Sequence, residues 1–178
     1  NGAFVDSFQR LGNTNTYAVA LGDLNGDGNL DAFVGNYGSP NQIWWGDGLG
    51  NFTESDQSLG DTNTQAVALG DVDGDGKPDI LLADKKQFVW YRNGDWKRFV
   101  MVDSLTEYDN VCIAARDLDG DGKVEVAVGA QWNPGETTDT SKSGSVHYLI
   151  RPKDPTKLWQ AVSLHHEPTI HRMRWVKS

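Results

Sequence analysis

The chain has 178 residues, 38% of them hydrophobic and 10% aromatic, which is typical of a single folded domain and excludes a disordered chain. No apolar run approaches the roughly 18 residues of a membrane-spanning helix, and the single cysteine, Cys112, excludes an internal disulfide. The net charge of −9 is concentrated in residues 1–84, which hold 13 acidic and 2 basic residues; such an acidic half argues against nucleic-acid or anionic-membrane partners and favours cations.

An internal repeat follows the first segment of the chain. GNTNTYAVALGDLNGDGNLDAFVGN at residues 12–36 recurs as GDTNTQAVALGDVDGDGKPDILLAD at 60–84, and DNVCIAARDLDGDGKVEVAVGA at 109–130 is a third copy. Each copy joins two apolar runs through a loop of pattern D-x-[DN]-G-D-G-x-x-[DE]. The runs are rich in Val, Ile and Leu and too short for helices, so the pattern predicts a loop between two β-strands.

The loop shares most of its ligand positions with a helical EF-hand but lacks the last one. An EF-hand closes with a bidentate Glu at position 12, where this chain has Val34, Leu82 and Val128. The final carboxylate comes instead at position 9, directly before the second strand. The loop is therefore predicted to hold a cation without forming a calcium hand.

Oxygen ligands without His or Cys favour calcium over zinc or copper, and their high number favours calcium over magnesium. About three calcium ions are expected, one in each repeat. The predicted ligands at positions 1, 3, 5, 7 (through the carbonyl) and 9 are Asp23, Asn25, Asp27, Asn29 and Asp31; Asp71, Asp73, Asp75, Lys77 and Asp79; and Asp117, Asp119, Asp121, Lys123 and Glu125.

These loops resemble the FG-GAP or VCBS repeats of integrin-alpha-like β-propellers. The resemblance implies an all-β fold with blades of four antiparallel strands, and calcium in the loop between the first and second strands, at the bottom of the propeller. One domain, 1–178, would contain blades at about 16–55, 64–103 and 109–164, an orphan outer strand at 2–11 and an orphan inner strand at 169–177. A closed propeller has roughly four to eight blades, so we expect a partial propeller, or one closed by oligomerisation or by a longer chain.

The C-terminal stretch LHHEPTIHRMRW concentrates the chemically versatile side chains of the chain. A histidine there is able to act as a general base, and an arginine is able to clamp a carboxylate or enediolate. Two histidines with Glu167 are also able to bind a metal. The alternative to a catalytic role and to a metal site is that these side chains make ordinary polar contacts between blades. The second half of the chain also resembles the propeller of aldos-2-ulose dehydratase-type proteins and related lyases. That resemblance implies proton abstraction beside a carbonyl or carboxylate, with candidate catalytic residues His165, His166, His171, Arg172 and Arg174.

Two loops on the predicted top face are candidates for ligand contact. Residues 130–145 form a connection longer than a hairpin needs, and long ordered loops are disproportionately functional. Trp132 lies on this loop, and Tyr108 lies on the neighbouring loop at 103–110. Both are predicted ligand-binding residues.

Two functions remain open. The first is a calcium-stabilised extracellular, cell-surface or periplasmic module that binds a carbohydrate or a protein, or assembles with copies of itself, without nucleic acid or membrane insertion. The second is a sugar-directed lyase or dehydratase that uses the His/Arg cluster at 165–174. The sequence leaves undecided whether the protein is an enzyme.

Overall fold

In a computed structural model of the chain, residues 6–60 and 63–176 are described, and these residues form twelve β-strands and no helix. The strands are β1 (Thr16–Gly22), β2 (Asp31–Asn36), β3 (Asn41–Gly46), β4 (Phe52–Leu59), β5 (Thr64–Gly70), β6 (Asp79–Asp84), β7 (Gln87–Tyr91), β8 (Arg98–Asp103), β9 (Cys112–Arg116), β10 (Glu125–Ala130), β11 (Ser145–Ile150) and β12 (Gln160–Ser163).

The strands form three four-stranded antiparallel sheets in simple meander order: β1-β2-β3-β4, β5-β6-β7-β8 and β9-β10-β11-β12. In each sheet the acidic loop joins the first strand to the second, and the pairs Gly22–Asp31, Gly70–Asp79 and Arg116–Glu125 are in register on either side of it. The predicted fold, an all-β partial propeller of three blades, is confirmed.

The second strand of the middle blade, β6, is buried on both of its faces because it lies between blades one and three. Alternate side chains of a strand point to opposite faces of the sheet. Accordingly, Ile80 and Leu82 of β6 pack toward blade one with Phe33, while Leu81 and Ala83 pack toward blade three. This two-sided burial explains why β6 is a continuous apolar run rather than an alternating one.

The first strands of the three blades, β1, β5 and β9, lie side by side and line a common axis. Their close approach requires small residues: a Cβ on Gly22 would lie 2.8 Å from the Leu69 side chain, and a Cβ on Gly70 would lie 2.3 Å from that of Val124. The three acidic loops share one end of the blades, which we call the acidic face. The connections from second to third strands lie at the other end, which we call the opposite face.

The two flanking segments differ from the expectation of orphan strands. Residues 2–5 and 177 lie outside the described residues, and residues 6–11 and 169–176 form no strand. Each segment contacts a neighbouring blade: the Gln9 side chain pairs with the backbone of Phe52 in β4, and Trp175 Nε1 donates to the carbonyl of Ala114 in β9. A β-strand requires a series of backbone hydrogen bonds to an adjacent strand. These segments contact the blades through side chains instead, so they are not strands.

Candidate functional site

The three acidic loops have the same internal hydrogen bonds. In the second loop, Asp71 accepts the N–H groups of Gly74 at 2.6 Å and Gly76 at 2.7 Å. Both glycines have positive φ, 86° and 83°, which only glycine adopts at little cost. The same pairs occur in the first loop between Asp23 and Gly26 and Gly28, and in the third between Asp117 and Gly120 and Gly122. The first aspartate therefore folds the loop around itself.

The carboxylate at position 9 has a structural role in addition to its predicted one. Asp79 is fully buried and accepts the N–H groups of Val72 and Asn93, each at 2.8 Å. Asp31 makes the equivalent pair of contacts with Leu24 and Gly46. Glu125 has one such contact, from Leu118 at 2.8 Å. Position 9 thus ties the acidic loop to the end of the third strand in blades one and two.

Carboxylates from positions 1, 3 and 9 converge in two of the loops. Asp71, Asp73 and Asp79 each offer an oxygen within 4.8 Å of the others, and Asp117, Asp119 and Glu125 do the same. In the first loop position 3 is Asn25, whose side-chain amide pairs with Asp27. The position-5 carboxylates lie outside both clusters and instead accept the N–H of position 7; these residues are Asp27, Asp75 and Asp121. Ligation through the carbonyls of Asn29, Lys77 and Lys123 stays a prediction.

The electrostatics of the second loop fit a hard cation. Burial raises the pKa of Asp79 to about 7, and the Asp73 and Asp71 charges add to that rise. Burial also raises the pKa of Asp73, with the Asp75 charge contributing. Asp73 Oδ1 is buried and has no well-formed hydrogen bond among residues 6–60 and 63–176, although the nearby Asp75 N–H offsets part of the rise in the pKa of Asp73. An orphaned buried carboxylate oxygen is costly unless a cation meets it, so the residues present suit calcium.

The first and second acidic loops are each hydrogen-bonded to the blade that follows them. Asn93 Nδ2 donates to the carbonyl of Leu24 in loop one at 3.0 Å, and an Arg151 guanidinium N–H donates to the equivalent carbonyl of Val72 at 3.1 Å. The Val124 N–H donates to the carbonyl of Asp71 at 2.8 Å. Its counterpart in blade two is Pro78, which has no N–H to donate. The loops therefore belong to the interfaces between blades as well as to single blades.

A groove of about 570 Å³ lies at the common axis, between the first strands and the C-terminal segment. It is lined on one side by Tyr17 and Gln65 and on the other by His171 and Arg172. The His171 ring lies edge-on to Trp132, with their centroids 5.1 Å apart. Cys112 also borders this groove, but burial raises the pKa of its thiol to about 11, so it is not a thiolate nucleophile.

The predicted His/Arg cluster is divided in the structure. His171 and Arg172 line the groove, whereas His165, His166 and Arg174 do not. His165 Nε2 contacts Glu167 at 2.9 Å on the exposed surface, and His166 Nε2 pairs with the Ser163 hydroxyl at 2.8 Å. A metal site of two histidines and Glu167 is not among the clusters found in the described part of the chain.

The His166 ring also lies edge-on to His147, with centroids 5.7 Å apart. Burial lowers the pKa of His147, and the neighbouring His166 adds to the effect. The two histidines form a ring contact between the third strand of blade three and the segment that follows its fourth strand.

The two predicted ligand-binding residues lie on loops that meet. The Trp132 N–H donates to the Asp109 carbonyl at 3.0 Å, which ties the 131–144 connection to the loop that carries Tyr108. Tyr108 is 40% exposed. Tyr17 and Gln65 were not predicted as site residues from the sequence. They occupy matching positions in the first two repeats, and this equivalence could have indicated that both side chains line the same groove.

The three meander sheets and the repeated loops define a repeat protein of the β-propeller type. The model of the FG-GAP-like repeat matches residues 23–82 and 71–128, and that of the FG-GAP repeat matches residues 113–149. The chain belongs to the FG-GAP-like repeat family. A search of curated proteins gave no match. In the described residues, no helix is long and apolar enough to cross a membrane.

Proposed function

We propose that this chain is a calcium-stabilised, extracellular β-propeller repeat module. The observation that carries the proposal is the convergence of Asp71, Asp73 and Asp79, with the orphaned Asp73 oxygen among them. A calcium ion bound there would offset most of the charge of the converging carboxylates, and the third loop offers an equivalent cluster. Millimolar extracellular calcium matches the weak-affinity range of such sites, and the FG-GAP family is typical of extracellular or cell-surface proteins.

The module would bind a carbohydrate or an extracellular protein, or assemble with copies of itself or with further blades of a longer chain. Assembly is supported by an apolar stripe on β1. Tyr17, Val19 and Leu21 are each more than half exposed, although the matching residues of blade two, Val67 and Leu69, pack against blade one. Exposed apolar patches of this kind mark interaction surfaces.

Calcium titration by isothermal calorimetry tests this proposal. We expect close to three ions per chain, because each loop supplies the same ligand positions. Asp73→Asn should remove or weaken one site, whereas Asp56→Asn, on the exposed surface of β4 and away from the loops, should leave all three. Light scattering of the loaded sample then shows whether the mass remains at 19.6 kDa or multiplies. A titration without heat would contradict the proposal.

The groove at the axis favours a second candidate, a sugar-directed lyase or dehydratase. A neutral His171 imidazole would accept the proton from the carbon beside a carbonyl or carboxylate, and Arg172 would hold the resulting oxyanion. The C–H electrons form a C=C bond as the neighbouring C–O bond breaks, and the leaving oxygen takes the proton from the His171 imidazolium and departs as water or an alcohol. Both side chains line one cavity with Tyr17, which is the arrangement such chemistry requires.

An assay of elimination tests this candidate: the protein is incubated with uronate polymers or keto-sugars, and the rate is measured from the ultraviolet absorbance of the unsaturated product. His171→Ala should lower the rate roughly 10²-fold or more, which is the usual contribution of a general base. His165→Ala is the matched control, because His165 lies outside the groove and should leave the rate unchanged. A wild-type chain without activity, or equal losses in both variants, would contradict the enzyme hypothesis.

A further inference from the structure

A second cavity, of about 380 Å³, opens on the acidic face between blades one and two. One wall comprises residues 23–26 of the first acidic loop, and another comprises residues 76–78 of the second. Trp45 at the end of β3 and Trp96 in the β7–β8 turn complete it, with Asn93 at its base. We call it the interblade cleft. Its volume is within the range of small-molecule sites.

The two tryptophans of the interblade cleft differ from Trp90, Trp159 and Trp175 in how their N–H groups are used. Trp90 and Trp159 both donate to the Pro155 carbonyl, and Trp175 donates to Ala114. Neither Trp45 nor Trp96 has such a partner in residues 6–60 and 63–176. Both are partly exposed and pack at one edge against the core between the two blades. They therefore present an apolar ring and a free donor to the same cavity.

The backbone at Trp96 is strained. Its φ is 52°, in the left-handed region, which is a genuine outlier for a bulky residue. The turn holds it there through a 2.9 Å hydrogen bond from the Trp96 N–H to the Arg92 carbonyl. Glycine or asparagine suits such a position better, so the fold retains an indole at a conformational cost. Strain of this kind clusters at ligand sites.

We propose that the interblade cleft binds a neutral saccharide. A pyranose ring has a face of C–H groups that packs on an indole, and its hydroxyl groups need both donors and acceptors. The indole N–H groups and the ammonium of Lys77 supply donors, and the side-chain carbonyl of Asn93 supplies an acceptor. The carboxylates of the flanking loops disfavour an anionic sugar. The proposal rests on the carbohydrate-binding alternative above, but places it on the acidic face and not at Trp132.

Saturation-transfer NMR with cellobiose, N,N′-diacetylchitobiose and lactose as probes, and digalacturonate as the anionic comparison, tests the site in calcium-loaded protein. We expect saturation transfer from at least one neutral disaccharide and none from digalacturonate. Trp96→Asn removes the indole while suiting the positive φ, so the variant should remain folded. It should weaken binding roughly tenfold or more, as expected for a lost stacking contact. Trp45→Phe, which keeps a ring in the core but removes the N–H, should weaken it less.

Tyr37→Ala is the matched control, because this ring lies on the opposite face and lines neither cavity, and its binding should equal that of the wild type. If binding survives Trp96→Asn and is lost in Trp132→Ala, the interblade cleft is overturned while the carbohydrate-binding module stands. If no neutral probe binds although calcium still raises the melting temperature, the saccharide site fails and the calcium module remains. Binding of digalacturonate in place of the neutral sugars would also overturn the proposal.

Discussion

Removal of calcium should lower the melting temperature of this protein by roughly 10 °C. Millimolar calcium is about ten times the Kd of a site in the weak-affinity range, and it then stabilises the folded state by about 1.4 kcal/mol per independent site. A change of 1 kcal/mol corresponds to about 2–4 °C for a domain of 150–250 residues. Three equivalent loops therefore give a combined effect well above that of ordinary surface interactions.

Thermal unfolding followed by circular dichroism, in excess EDTA and in millimolar calcium, measures this shift. Magnesium at the same concentration is the control, because its small octahedral shell fits these multi-carboxylate loops poorly and should restore little of the stability. Asp73→Asn should reduce the calcium-dependent part of the shift by about one third. Equal melting temperatures with EDTA and calcium would show that the loops are solvated acidic turns.

The loop sequences carry most of the predictable information about the fold. The spacing from Asp71 to Asp79, followed at once by an apolar run, is incompatible with a calcium hand and fixes a turn between two strands. Because the pattern recurs three times, it also fixes the number of blades and the register across each loop. These are local constraints, in which a few neighbouring residues decide the geometry.

Other features depend on contacts between distant parts of the chain. The sequence of residues 169–176 alternates like a strand, but the structure pairs it through the Trp175 side chain and not through its backbone. Likewise, His165 and His171 are six positions apart, yet one lies on the exposed surface and the other lines the axis. The interblade cleft has residues from both blades one and two, so no single repeat reveals it.

The inter-blade hydrogen bonds connect calcium to the packing of the blades. The carbonyls of Leu24 and Val72 directly follow the first ligand of their loops, and each accepts a hydrogen bond from the next blade. A calcium ion that fixes the loop also fixes these carbonyls. The proposed metal would therefore stabilise the contacts between blades, and its role would be structural support on the acidic face.

Asp79→Ala should destabilise the protein by about 2–4 kcal/mol even without calcium. The substitution leaves the buried N–H groups of Val72 and Asn93 without an acceptor, and each unsatisfied group costs about 1–3 kcal/mol. Loss of the buried carboxylate offsets part of this cost, because burial already disfavours its charged form and raises its pKa. The net effect remains a loss, since both N–H groups stay buried.

Urea unfolding in EDTA measures this loss as a lower midpoint with an unchanged m-value. Asp73→Asn is the matched comparison within the same loop. In the wild-type protein, Asp73 Oδ1 has no well-formed hydrogen bond among the described residues, and burial and the Asp75 charge raise the pKa of Asp73. A neutral amide should therefore leave the calcium-free stability unchanged or slightly higher, while both variants bind calcium more weakly. If Asp79→Ala lost no calcium-free stability relative to the wild type, position 9 would serve the metal alone and would not support the strand end.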